Sequence, residues 1–98
     1  MRRRNVTGRR IAYLRSEQNM SQDMLIARLQ LLGFDITRDV LANMESGRTR
    51  IDDDDLPYFQ KALRVPIILF YSKEVRELDE KFSRLRAEKL KRQRNGKS

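Results

Sequence analysis

Neither cysteine nor histidine occurs anywhere in the 98 residues, and tryptophan is missing too. The first two absences remove disulfides, thiol nucleophiles, imidazole bases and the usual zinc ligands together. A metal site is left only carboxylates, and a general base only Asp, Glu, Lys or Tyr. An enzyme is therefore not expected, and neither is a cofactor. Four glycines and two prolines are too few for the turns of a sandwich or barrel and favour helix. No apolar run approaches the ~20 residues of a membrane span, and the basic start Arg2-Arg3-Arg4 lacks the apolar stretch of a signal peptide. The expectation is a cytoplasmic protein with no membrane partner.

What is present is charge, unevenly spread. Charged residues are 37% of the chain and the formal net charge is +8. Residues 1–10 carry five Arg, residues 84–98 carry seven Lys or Arg against Glu88 alone, and the span between holds ten basic and thirteen acidic groups. The excess thus lies in the tails. Basic tails on a balanced unit suit arms that neutralise phosphates beside a domain that does the reading. For the last five residues, keeping a small protein soluble is the simpler account. A chain of this length makes one domain.

The stretch from Thr37 to Gly47 reads as one short helix with two unlike faces. The Thr37 hydroxyl can cap its free N–H groups, and Gly47 can take the left-handed conformation that ends it. At about 100° per residue, Thr37, Val40, Leu41 and Met44 fall on one side, and Arg38, Asp39, Ala42 and Asn43 on the other. The second set offers a bidentate donor for guanine, an acceptor for cytosine N4, a small apolar surface for a thymine methyl and an amide suited to adenine. An ordinary amphipathic surface helix would show the same pattern, so the flanking segments decide.

Residues 1–6 are expected to form a basic arm. A first helix is expected from Thr7 or Gly8 to about Gln18, capped by Thr7, with Ile11 and Leu14 inward and Arg9 and Arg15 outward. Ser21 caps a second helix, whose Leu25, Ile26, Leu29 and Leu32 recur at helical spacing and which Gly33 ends. Gly33-Phe34-Asp35-Ile36 is then a turn leading into Thr37. Asp52 caps a fourth helix, with Asp53 to Asp55 complementing its positive end. The Asp run lacks the spacing, glycine and distal glutamate of a calcium loop. Pro57 fits only the first turn, and Phe59, Ala62 and Leu63 form the buried stripe. Pro66 begins a short fifth helix over Ile67, Ile68, Leu69, Phe70 and Tyr71.

Taken in order, Gly8-Arg9-Arg10-Ile11, Leu14-Arg15, Ser21-Gln22, Leu25, Leu29, Glu45-Ser46-Gly47-Arg48 and Lys61-Ala62-Leu63-Arg64-Val65-Pro66 resemble the Cro and phage-repressor family of helix-turn-helix domains. The resemblance covers about residues 7–71. It implies an all-α fold of five short helices, the second over the DNA backbone and the third in the major groove. It also implies that Gln22, Arg48 and Arg50 touch phosphates, with Thr37 beside them, and that Arg10 pairs with Glu45. Arg2, Arg3 and Arg4 would extend the phosphate contacts as an arm. One departure is plain: Gln30-Leu31-Leu32 and Phe34-Asp35 lengthen the joint between helices two and three. Leu31 and Phe34 are expected to be core there.

Over residues 72–98 an amphipathic helix runs to about Lys91, with a basic tail beyond. Tyr71, Val75, Leu78, Phe82 and Leu85 recur at coiled-coil spacing. With Ile67, Ile68 and Phe70 they make a candidate dimer seam, the alternative being a helix packed back on its own domain. The function expected is sequence-specific binding of double-stranded DNA by a homodimeric transcriptional regulator. One rival is an antitoxin-type module whose C-terminal helix binds a protein partner, and another is a nonspecific RNA or nucleoid binder.

Overall fold

The computed structural model describes residues 6–95, and within them it is all-α. Five α-helices follow in order: α1 (Val6–Glu17), α2 (Gln22–Leu31), α3 (Arg38–Ser46), α4 (Leu56–Leu63) and α5 (Lys73–Asn95). Two 3-10 turns, Asp53–Asp55 and Ile67–Phe70, flank α4. No strand occurs among the described residues. The arm Arg2, Arg3 and Arg4 lies outside them.

Local chemistry sets most boundaries. Ser21 accepts the Met24 N–H at 3.1 Å and opens α2. Gly33, at φ 91°, turns the chain out of α2, and the Phe34 N–H closes back on the Leu29 carbonyl at 2.8 Å. The Asp55 carboxylate accepts the Asp52 N–H at 3.3 Å where the chain enters the α4 region. Pro57 sits in the first turn of α4, where its missing N–H has no helical partner to lose. Among the described residues no acidic group is arranged to hold a metal ion.

The core joins α1, α2, α3, α4 and the second 3-10 turn. Ile11, Leu25, Leu29, Leu41, Phe59, Leu63 and Phe70 are its largest fully buried side chains. Phe34 seals the joint by stacking on Tyr58 with ring centroids 5.0 Å apart and meeting Phe59 edge-on at 5.8 Å. Two carbonyls at the end of α4 are met from elsewhere in the fold: Gln18, just past α1, donates to Leu63 at 2.7 Å and Arg28 of α2 to Ala62 at 3.1 Å.

Several expectations need correction. Thr7 lies inside α1 and so is not its cap. Leu31 is 88% exposed, because α2 stops there and the chain that folds back over the core is Phe34. Val40 is exposed rather than packed with Leu41 and Met44. The expected fifth short helix is one 3-10 turn, and Phe70 on it is fully buried, so it belongs to the core and not to a seam. Ile68 is half-buried, whereas Ile67 and Tyr71 are exposed.

The C-terminal helix runs to Asn95, past the expected Lys91. Its 23 residues span about 34 Å at 1.5 Å per residue. It meets the domain chiefly at its root, against the Ile67–Phe70 turn, and every described side chain from Glu77 onward is exposed. It does not pack back. No described helix is long and apolar enough to cross a membrane.

Candidate nucleic-acid interface

Helix α3 is well punctuated. Thr37 stands in extended backbone and its Oγ1 accepts the Val40 N–H at 3.2 Å. Gly47 takes φ 87°, and the Arg48 and Thr49 N–H groups return to the Asn43 carbonyl at 2.9 and 3.1 Å. The exit geometry fixes where the Arg48 to Arg50 segment departs, and all three of its residues are exposed.

Three fixings hold the inner side of α3. Leu41 and Met44 are buried in the core. The α1 backbone approaches so closely at Gly8 that a Cβ there would overlap the Met44 carbonyl oxygen and stand 2.9 Å from its carbonyl carbon. Glu45, only 8% exposed, receives both arms of Arg15: Nε to Oε2 at 2.7 Å and Nη2 to Oε1 at 3.0 Å. Gln22 adds its Nε2 to Oε1 at 3.0 Å, and Arg15 Nη1 donates to the Met20 carbonyl at 2.7 Å. One carboxylate therefore ties α3 to α1, to the start of α2 and, through Arg15, to the turn between them. Bidentate, desolvated pairing of this kind is specific in angle as well as distance.

The expected Arg10–Glu45 pair is thus replaced by Arg15–Glu45. Along α1, Arg15 follows Gly8 and Ile11 by seven and four residues, which puts all three on one face at about 100° per residue. Arg10 sits about 200° round from Gly8 on the same count. There its Nε donates to the Leu69 carbonyl at 2.8 Å, and its guanidinium lies 4.9 Å from the centre of the Tyr13 ring. Burial, with the charge of Arg76 in second place, lowers Arg10 below its ordinary pKa. The signal for Arg15 was legible as a Gly–Ile–Arg stripe facing α3. It was missed because Arg15 was read as outward and the partner of Glu45 was taken from the family resemblance as Arg10. Gln22 was expected on phosphate, and its amide is instead turned to Glu45.

The outer side of α3 is open. Arg38 and Asp39 are exposed, Ala42 and Asn43 half-buried. Arg38 Nη1 lies 3.7 Å from Asp23 Oδ2 on α2, a pair with both side chains in solvent. Such a pair adds little stability, but it holds the guanidinium beside the start of α3. Among the described residues neither Asp39 nor Asn43 has a side-chain hydrogen bond. Arg38, Asp39, Ala42 and Asn43 therefore share one open side of α3, with Thr37 capping its start and the exposed Arg48 and Arg50 following its end.

No family model matches the chain, and no curated protein or solved structure matches it significantly.

Proposed function

We infer that the protein is a non-catalytic, sequence-specific regulator of transcription that binds double-stranded DNA as a homodimer, with α3 in the major groove. What supports this is α3 itself. It is anchored on one side by core, close backbone approach and ion pair, while its other side presents Arg38, Asp39 and Asn43, groups that match base edges and do no work in holding the fold. Arg48 and Arg50, exposed just past its end, suit phosphate contact. A two-fold pair would place two such helices about one turn, ~34 Å, apart on the duplex. The exposed stripe of α5 supports a partner at that helix.

Selection from a random duplex pool is expected to return a short inverted repeat, and an unenriched pool removes this reading. On the selected site, Arg38→Ala is expected to cost about 1–3 kcal/mol and to relax preference at one base position. Arg48→Ala is expected to weaken all sequences alike and to flatten the log–log salt slope by about 1. Equal loss on selected and random DNA for Arg38→Ala would take base reading away from that residue.

A further inference from the structure

Helix α5 leaves an apolar stripe uncovered. Val75, Leu78, Phe82 and Leu85 recur at spacings of 3, 4 and 3, and the structure exposes Leu78 by 67% and Phe82 by 65%. In heptad terms Val75, Phe82 and Lys89 occupy the a positions, and Leu78, Leu85 and Arg92 the d positions. The e positions hold Asp79 and Arg86, and the g positions Glu74, Lys81 and Glu88. Charge is also sorted along the axis. Residues 73–80 hold four acids and two bases, whereas residues 81–93 hold six bases against Glu88.

A parallel pair of α5 helices sets each g residue against the e residue of the partner's next heptad. Glu74 would then face the partner's Asp79, and Lys81 the partner's Arg86, each meeting occurring twice by symmetry. The same arrangement stacks Lys89 on the partner's Lys89 and Arg92 on the partner's Arg92 inside the seam. Every one of these contacts joins like charges.

Reversing one helix removes them. In the register that sets Phe82 on the partner's Leu78, Val75 falls on the partner's Leu85. Four layers are then wholly apolar. Asp79 stands within side-chain reach of the partner's Arg86, and the acid-rich first half of one helix lies along the basic second half of the other. On the opposite flank Lys81 comes within two residues of the partner's Lys81 along the axis and Glu74 within two of the partner's Glu88, so that side opposes pairing, with fewer like-charge meetings than the parallel arrangement makes. We propose that α5 is an interface for a second copy of this chain, joined antiparallel, with charge selecting the orientation and the Val75–Leu85 stripe supplying the contact.

Residue 73 of one helix then stands level with residue 87 of its partner, so the two domains leave the helix pair from points about 21 Å apart along the axis. The orientation rests on the homodimer inferred above but not on DNA binding, which the duplex selection reads separately.

The chain has no cysteine, so single introduced thiols report pairing without background. Full-length Val75→Cys and Leu85→Cys proteins are oxidised mildly, each alone and mixed. Antiparallel pairing gives a disulfide-linked dimer in the mixture only. In either single variant the like positions lie about 15 Å apart along the axis, beyond the ~7 Å Cα separation a disulfide spans. Cross-linking of either variant alone to the extent of the mixture overturns the proposal. So does a wild-type chain that sediments as a monomer at hundreds of micromolar, which would leave the stripe to another occupant. Sedimentation of Arg86→Glu supplies an independent sign. Antiparallel pairing predicts a roughly tenfold weaker dimer, since two attractive meetings become repulsive, whereas a parallel pair would tighten because Lys81 gains an opposite charge.

Discussion

Replacing Gly8 with alanine is expected to destabilise the protein by about 3 kcal/mol or more. At most positions inside a helix the same change stabilises, by about 0.5–1 kcal/mol, so the sign of the result is itself informative. The reversal follows from what the added methyl would meet. It would overlap the Met44 backbone carbonyl on α3, and a backbone in a packed interior cannot step aside as a long side chain can. The helices α1 and α3 would have to part, uncovering Ile11, Leu14 and Leu41. Urea denaturation of Gly8→Ala beside Ser16→Ala, on the exposed side of the same helix, gives the comparison. A Gly8→Ala protein as stable as wild type would mean that α1 and α3 are not in backbone contact. Because α3 carries the residues proposed to read bases, affinity for a selected duplex should fall along with stability.

A comparable loss, about 3–5 kcal/mol, is expected for Glu45→Ala. Removing that carboxylate leaves the Arg15 guanidinium largely out of water with only the Met20 carbonyl to meet it, and frees the Gln22 amide from its acceptor. An unpaired charge in such a place costs far more than the pair contributes. Replacing Arg15 and Glu45 together by methionine should therefore cost less than the two single changes summed. Arg10→Ala should cost only about 1 kcal/mol, the worth of one hydrogen bond to Leu69. Thermal unfolding of these variants, with Arg15→Met and Glu45→Met singly, separates the two arginines. A larger loss for Arg10→Ala than for Glu45→Ala would reinstate the pairing that the family resemblance implied.

The contrast between those arginines shows where the sequence was readable. Thr37, Gly47, Ser21 and Gly33 announced the ends of α2 and α3 because capping and left-handed backbone are decided within a few residues of chain. The polar side of α3 was readable for the same reason, since 100° per residue needs no partner to be known. Choices made by distant segments were not. Leu31 looks like core from its own neighbours, yet the turn at Gly33 brings Phe34 over the Phe59 ring and leaves Leu31 in solvent. Phe70 belongs to an apolar run that suits a seam equally well, until α1 and α4 close over it. Gly8 gave a signal in its spacing to Ile11 and Arg15, but only the approach of α3 turns that spacing into a contact.

Helix α5 touches its own domain only near the root, so little beyond its own backbone hydrogen bonds keeps its outer turns wound. Most helical stability in proteins comes from packing of an apolar face rather than from propensity, and a partner that binds only the wound form shifts that balance by mass action. Dilution should then fray α5 before it unfolds anything else. Amide exchange is expected to be fast beyond Leu78 at nanomolar protein and to slow as concentration rises, while amides in α1 and α3 stay protected throughout. Winding of α5, pairing of copies and occupancy of a two-fold site would become one concentration-dependent event, and duplex occupancy would rise more steeply than a single-site isotherm.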